Sequence, residues 1–317
     1  MKKYRTIIIA LLLILTFIVT GCNKDELMTV YREAEVSVYT TIYPIQFIVE
    51  EIGDEIIEVE SIYPPGVDAH TFEPTTKEMT EIAEADAFIY FGPTLEGFAS
   101  SAAEALEKEE VRLIALEEYD EIFEKPKVTE DDSDEAVETA DKFERNPHVW
   151  LDPLRMIMMA EIITEQLIDL APDHEELFEE NKKELFVQLQ KLEDKFKQEL
   201  VDKNNKYIIV PHAAYGYWEE RYGIEEIALS GLSPSEEPSQ KYLAEIIEEA
   251  KDLGISTLFY EQNTPDKLIE VLKDELEAET YTLHNLSVLT EEDIEAEQNY
   301  VTLMERNIET LVEAFDN

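Results

Sequence analysis

Residues 173–203 run for about 31 positions without a glycine or proline, directly after Pro172, so nothing within them stops a helix. Leu177, Leu185, Phe186, Leu189, Leu192, Phe196 and Leu200 recur along the segment at helical spacing, while Glu and Lys fill the other face. At 1.5 Å per residue the predicted helix is about 46 Å long, enough to run along two halves of a protein. A coiled-coil arm for a partner is one way to cover the apolar stripe. A strut between two lobes is the better reading, because segments that build sheets lie on either side.

Those segments are short runs rich in β-branched and aromatic residues, separated by longer amphipathic stretches. Before the strut they are 36–42, 57–63, 87–92 and 111–116, with helices predicted at 45–52, 76–84 and 95–108. After it they are 207–210, 226–230, 257–260 and 280–283. Such alternation predicts an α/β protein with two mostly parallel sheets, covered by helices and wound right-handed.

The chain starts with basic residues and a charge-free apolar run at 6–20 that ends at Gly21-Cys22. As a helix this run would reach about 22 Å, short of the roughly 30 Å hydrocarbon core, and it reads as a secretory signal. Cys22 is the only cysteine, so no disulfide can form within the chain and no metal site can be built on thiolates. The formal net charge of −48 argues against a nucleic-acid partner. With 44% hydrophobic residues the chain can still build a core, which places the acidic excess on a folded surface. Residues 127–145 are poor in apolar side chains and rich in Asp and Glu. They are predicted to be an acidic loop that either concentrates cations or is only a solvated insert.

Three histidines stand in loops or at predicted strand ends. His148 lies in NPHVWLDP, beside Trp150 and four residues before Asp152, a plausible acceptor for the second ring N–H. His70 follows the second strand, and His212 follows the first strand of the second half. In open parallel α/β sheets the carboxyl ends of the strands face the binding crevice, so His70 and His212 are expected to meet across a cleft.

VTGC resembles the bacterial lipobox, which implies cleavage after residue 21, a lipidated Cys22 and a tether over 22–35. DAHTFEPT, NPHVWLDP, HAAYGYWEERYG and SGLSPSEEPS resemble the ordered motifs of the metal-binding lipoproteins of bacterial zinc and manganese ABC importers, the cluster 9 solute-binding proteins. The resemblance implies two (βα)4-like lobes, at 36–171 and 205–317, joined by one long rigid helix at 172–204. It also implies a monomeric receptor, lipid-anchored on the outer face of the cell membrane, that captures Zn2+ and passes it to a permease without catalysing a reaction. Its metal ligands would be His70, His148 and His212. Manganese-type members put a carboxylate in the third place, and His212 keeps an imidazole, which suits zinc.

Where many members carry a fourth, acidic ligand, this chain offers Ser287. Water, Glu261 and His284 are the alternatives, with Glu261 and His284 also readable as hydrogen-bonded structural residues. Glu73 and Asp152 are assigned to orienting or structural hydrogen bonds, and His174 to the solvated surface. A zinc hydrolase with an open three-histidine site, a manganese receptor and a surface adhesin remain as other readings. Neither an HExxH nor a GxSxG motif accompanies the histidines to favour the hydrolase.

Overall fold

The computed structural model describes residues 34–126, 145–235, 238–262 and 267–316; the predicted signal, Cys22 and nearly all of the acidic loop lie outside them. In the first lobe β1 (Val36–Thr40), β2 (Ile57–Ser61), β3 (Ala87–Tyr90) and β4 (Arg112–Ala115) form one parallel sheet in the order β2-β1-β3-β4. All four residues of β3 are buried, as expected of an inner strand covered on both faces. The connections carry α1 (Tyr43–Gly53), α2 (Thr76–Glu84) and α3 (Ala99–Leu106). Helix α2 starts where the sequence predicts because Thr75 and Glu78 cap each other's backbone N–H groups.

Two long helices follow, α4 (Pro153–Leu170) and α5 (Glu175–Leu200). The strut is therefore shorter than predicted. Pro172–His174 forms a tighter 3-10 turn, and the 26 residues of α5 span about 39 Å. Its end precedes Asn204-Asn205, where Asn205 takes a left-handed φ of 53° that a helix cannot continue through. It is also one arm of a hairpin with α4. Helix α5 packs on α1 and α4 from the first lobe, and on α6 (Gly216–Tyr222) and α10 (Tyr300–Asp316) from the second. Phe178, Leu185, Leu189, Leu192, Phe196 and Leu200 are its buried apolar side chains, each stabilising the fold by about 1.5–3 kcal/mol.

In the second lobe β5 (Tyr207–Val210) pairs with β6 (Glu225–Ala228), and β7 (Thr257–Glu261) pairs with β8 (Glu279–Leu283), all parallel. Strands β5 and β7 run side by side. Among the described residues no ladder joins them, so the predicted second sheet is two strand pairs. Helices α7 (Gln240–Leu253), α8 (Lys267–Leu276) and the short α9 (Glu291–Glu295) complete the lobe. One large core runs through the first lobe, α4, α5, α10 and the inner side of the second lobe. A smaller core, with Ile209, Leu229, Leu258 and Ile269, lies beneath α7 and α8.

Candidate metal centre

His70 is carried on the loop between β2 and α2. Asp68 folds that loop: one carboxylate oxygen accepts from the His70 backbone N–H at 2.9 Å and the other from the Thr71 hydroxyl at 3.2 Å. His148 stands just before the 3-10 turn Val149–Leu151 that leads into α4. Asn146 Oδ1 accepts from the His148 backbone N–H at 3.0 Å and lies 2.8 Å from its ring Nδ1. A backbone N–H can only donate, which identifies the Asn146 atom as the oxygen and makes Nδ1 the protonated ring nitrogen. The lone pair of His148 is then on Nε2.

His212 follows β5 and is buried. Its Nδ1 lies 2.6 Å from Glu261 Oε1 at the end of β7, an ion-pair contact. The other Glu261 oxygen accepts from Asn285 Nδ2 at 2.8 Å, which fixes the carboxylate. A carboxylate facing Nδ1 favours the proton there, and again leaves Nε2 with the lone pair.

The Nε2 atoms converge. His148 stands 3.3 Å from His70 and 3.2 Å from His212, and the three ligand atoms lie within 4.8 Å of one another. Tetrahedral coordination with metal–nitrogen bonds of about 2.0–2.1 Å would put ligand nitrogens about 3.3–3.4 Å apart. Imidazole lone pairs facing each other at this distance repel unless a cation lies between them. The three side chains form a group able to hold a metal ion, and it is electrically uneven. Burial, followed by His212 and His70, holds His148 well below the ordinary imidazole range. Burial and then His212 bring His70 down to about 4, against Asp68 and Glu261. Burial also opposes the charge on His212, but Glu261 outweighs it and the value is raised.

The other predicted positions fall differently. Asp152 does not orient His148: it is the N-cap of α4, accepting from Leu154 N–H at 2.9 Å and from Arg155 at 2.5 Å. The chain turns between the two residues, and Asn146 takes the orienting role instead. Glu73 is exposed and makes no hydrogen bond to His70, whose loop is held by Asp68. His284 has both ring nitrogens occupied, one by Asp293 at 3.0 Å and one by the Leu286 N–H at 3.0 Å, and it stands apart from the three. Ser287 donates to Asn285 Oδ1 at 2.8 Å. His174 is paired with Glu35 at 2.9 Å and lies against Phe178, so it is more than a solvated residue.

The sequence reading missed Asn146 and Asn285. For Asn146 the Asn-x-His spacing was available, since Asn side chains bond to backbone two residues on. Asn285 joins the lobes, because its carbonyl accepts from Trp150 Nε1 at 2.7 Å while its amide holds Glu261. No local pattern announces that pairing.

Residues 38–314 match the family described as zinc-uptake complex component A, periplasmic. The chain is 31% identical over 316 residues to the zinc-binding lipoprotein AdcA of Streptococcus pneumoniae; the match covers 100% of this chain and 62% of that one. The chain therefore spans less than two thirds of that relative. It is 28% identical over 274 residues to the high-affinity zinc uptake system protein ZnuA of Bacillus subtilis, covering 86% of each. It also resembles the crystal structure of the Zn(II)-bound ZnuA-like domain of Streptococcus pneumoniae AdcA, with a TM-score of 0.72 and 31% identity over 90% of this chain and 100% of that domain. Matched from within β1 almost to the end of α10, the chain belongs to the zinc-uptake complex component A family.

Proposed function

We propose that this protein is an exported receptor that captures Zn2+ between its lobes and delivers it to an ABC permease. The observation that carries the reading is the meeting of three imidazoles, with His148 Nε2 at tetrahedral spacing from the other two Nε2 atoms and two of the rings turned from behind by Asn146 and Glu261. His70, His148 and His212 are the ligands. Neutral imidazoles suit zinc better than manganese, and the relatives' names specify zinc. Glu261 acts through His212, and the fourth position is left to water. An open position also describes hydrolytic zinc sites. Here the carboxylate at the site is engaged with His212 and Asn285, and the family is one of uptake components.

In this reading residues 1–21 are a cleaved signal, Cys22 carries lipid and 22–35 form the tether. Residues 36–171 and 205–317 are the lobes, joined by 172–204. The lipoprotein name of the AdcA relative supports the anchor. No helix among the described residues is long and apolar enough to cross a membrane.

Zinc titration in competition with a chelator tests the ligand set. His70→Ala, His148→Ala and His212→Ala should each weaken binding by more than about 100-fold, above the usual cost of losing a group that only orients a ligand. His174→Ala should leave affinity unchanged. Equal losses in all four variants, or none in the first three, overturn the assignment.

A further inference from the structure

Glu96 lies in the turn between β3 and α3 and is fully buried. The Gly92 N–H donates to its Oε2 at 3.0 Å. The Tyr63 hydroxyl is 3.2 Å from Glu96 Oε1 and 3.3 Å from the carbonyl oxygen of Ala69, which directly precedes His70. A phenol has one proton and can serve only one of these two acceptors. If Glu96 is ionised, the phenol donates to the carboxylate and the Ala69 carbonyl loses that donor. If Glu96 carries a proton on Oε1, its O–H donates to the Tyr63 oxygen, the phenol O–H donates to Ala69, and Oε2 still accepts from Gly92. Tyr63, Ala69 and both Glu96 oxygens are then paired, with the Phe91 backbone also directed at the carboxyl, while the Thr41 hydroxyl beside it lacks a well-formed hydrogen bond.

The surroundings support the neutral acid. Burial lifts the Glu96 carboxyl to about 7, with the hydrogen bonds pulling the other way. The charged groups acting on Tyr63 and Tyr90 beside Glu96 are acidic: Asp68 on the His70 loop, and Glu117 and Glu118 after β4. Ala69 is buried, and a Cβ on Gly97 would stand 3.8 Å from the His70 carbonyl oxygen, so the His70 segment lies over this turn.

We propose that Glu96 is a positioning residue for the metal centre: as a neutral acid it braces, through Tyr63, the Ala69 carbonyl and with it the loop that presents His70. The proposal rests on the zinc-receptor reading. When Glu96 ionises, the phenol's proton turns to the carboxylate, the carbonyl is released and His70 loses part of its support. Zinc affinity should therefore decline towards alkaline pH, the opposite direction from the loss caused by protonation of the imidazoles.

The experiment is zinc titration against a chelator from pH 6 to 9 on the full chain, as wild type, Glu96→Gln and Tyr63→Phe. The Gln amide puts an N–H donor where the acid's O–H stood and cannot ionise. Glu96→Gln should match wild type at pH 6.5 and stay flat to pH 9, while wild type weakens by about tenfold, the lower range for groups that act behind a ligand. Tyr63→Phe should be weaker by about tenfold across the range. An alkaline decline in Glu96→Gln equal to that of wild type overturns the proposal, as does wild-type affinity in Tyr63→Phe. Should Glu96→Gln fail to fold, Tyr63→Phe decides alone. Wild type that binds no zinc at any pH refutes the receptor reading instead, which keeps the two failures apart.

Discussion

The first lobe brings two imidazoles to the centre and the second brings one, and they differ in kind. His70 and His148 are held neutral by burial and then by His212, whereas His212 is drawn towards its charged form by Glu261 against burial. The scaffolds behind them differ as well. The first lobe has a continuous four-stranded sheet within the large core; the second has two strand pairs, with its outer face on a small core to which α7 and α8 contribute only Ile246, Ala250, Ile269 and Leu272 as buried residues. In the proposed zinc site a well-packed half would thus present two neutral ligands, and a leaner half the one drawn towards its charged form.

The largest effect that bears on this contrast is on stability. Leu189→Ala, in the large core, should cost about 4 kcal/mol, and Ile246→Ala about 2 kcal/mol, because a thin cluster collapses more easily around the missing atoms. Urea unfolding measures both, and equal or reversed costs would break the contrast. Next in size are the groups behind the ligands. Asn146→Ala should weaken zinc binding by about 10–100-fold, and Glu261→Gln by about tenfold, since the Gln carbonyl can still accept from His212. If Asn146→Ala binds as wild type, the His148 tautomer is not set by that amide.

The smallest effect concerns protons. Burial opposes the charge on His212 but Glu261 outweighs it, so zinc competes with a proton there more than at the other two rings, and affinity falls as pH drops. His70, at about 4, and His148, lower than normal, add nothing until pH is well below 6.5. Calorimetry at pH 6.5 in buffers of different ionisation enthalpy should find no more than about one proton released per zinc. Two or three would erase the distinction between the lobes.

Much of this was legible in the sequence. The β-branched runs located all eight strands to within two residues at either end, because strand propensity and turn residues agree locally. Helix α10 went unread although Tyr300, Leu303, Met304, Asn307, Ile308 and Leu311 keep helical spacing on its buried face. The three histidines were legible through their motifs. Their supports were not, since a carboxylate four residues from a histidine says nothing of where the chain turns: Asp152 caps a helix and meets Arg155, while the amide of Asn146 faces the ring. Glu261 reaches His212 only because β7 lies beside β5, a tertiary fact absent from either segment.

The two-to-one division of the histidines bears on unloading. A carrier must let go as well as hold, and a Zn–N bond of about 2.0–2.1 Å is lost once the nitrogen retreats by roughly 1 Å. Helix α5 is packed on both lobes, so a wide swing would have to break those contacts. A small retreat of the segment after β5 is enough, because it lowers the coordination number by one while the helix stays straight. In the proposed receptor, an acceptor that draws on this segment alone would remove one of the three ligands without prising the protein open.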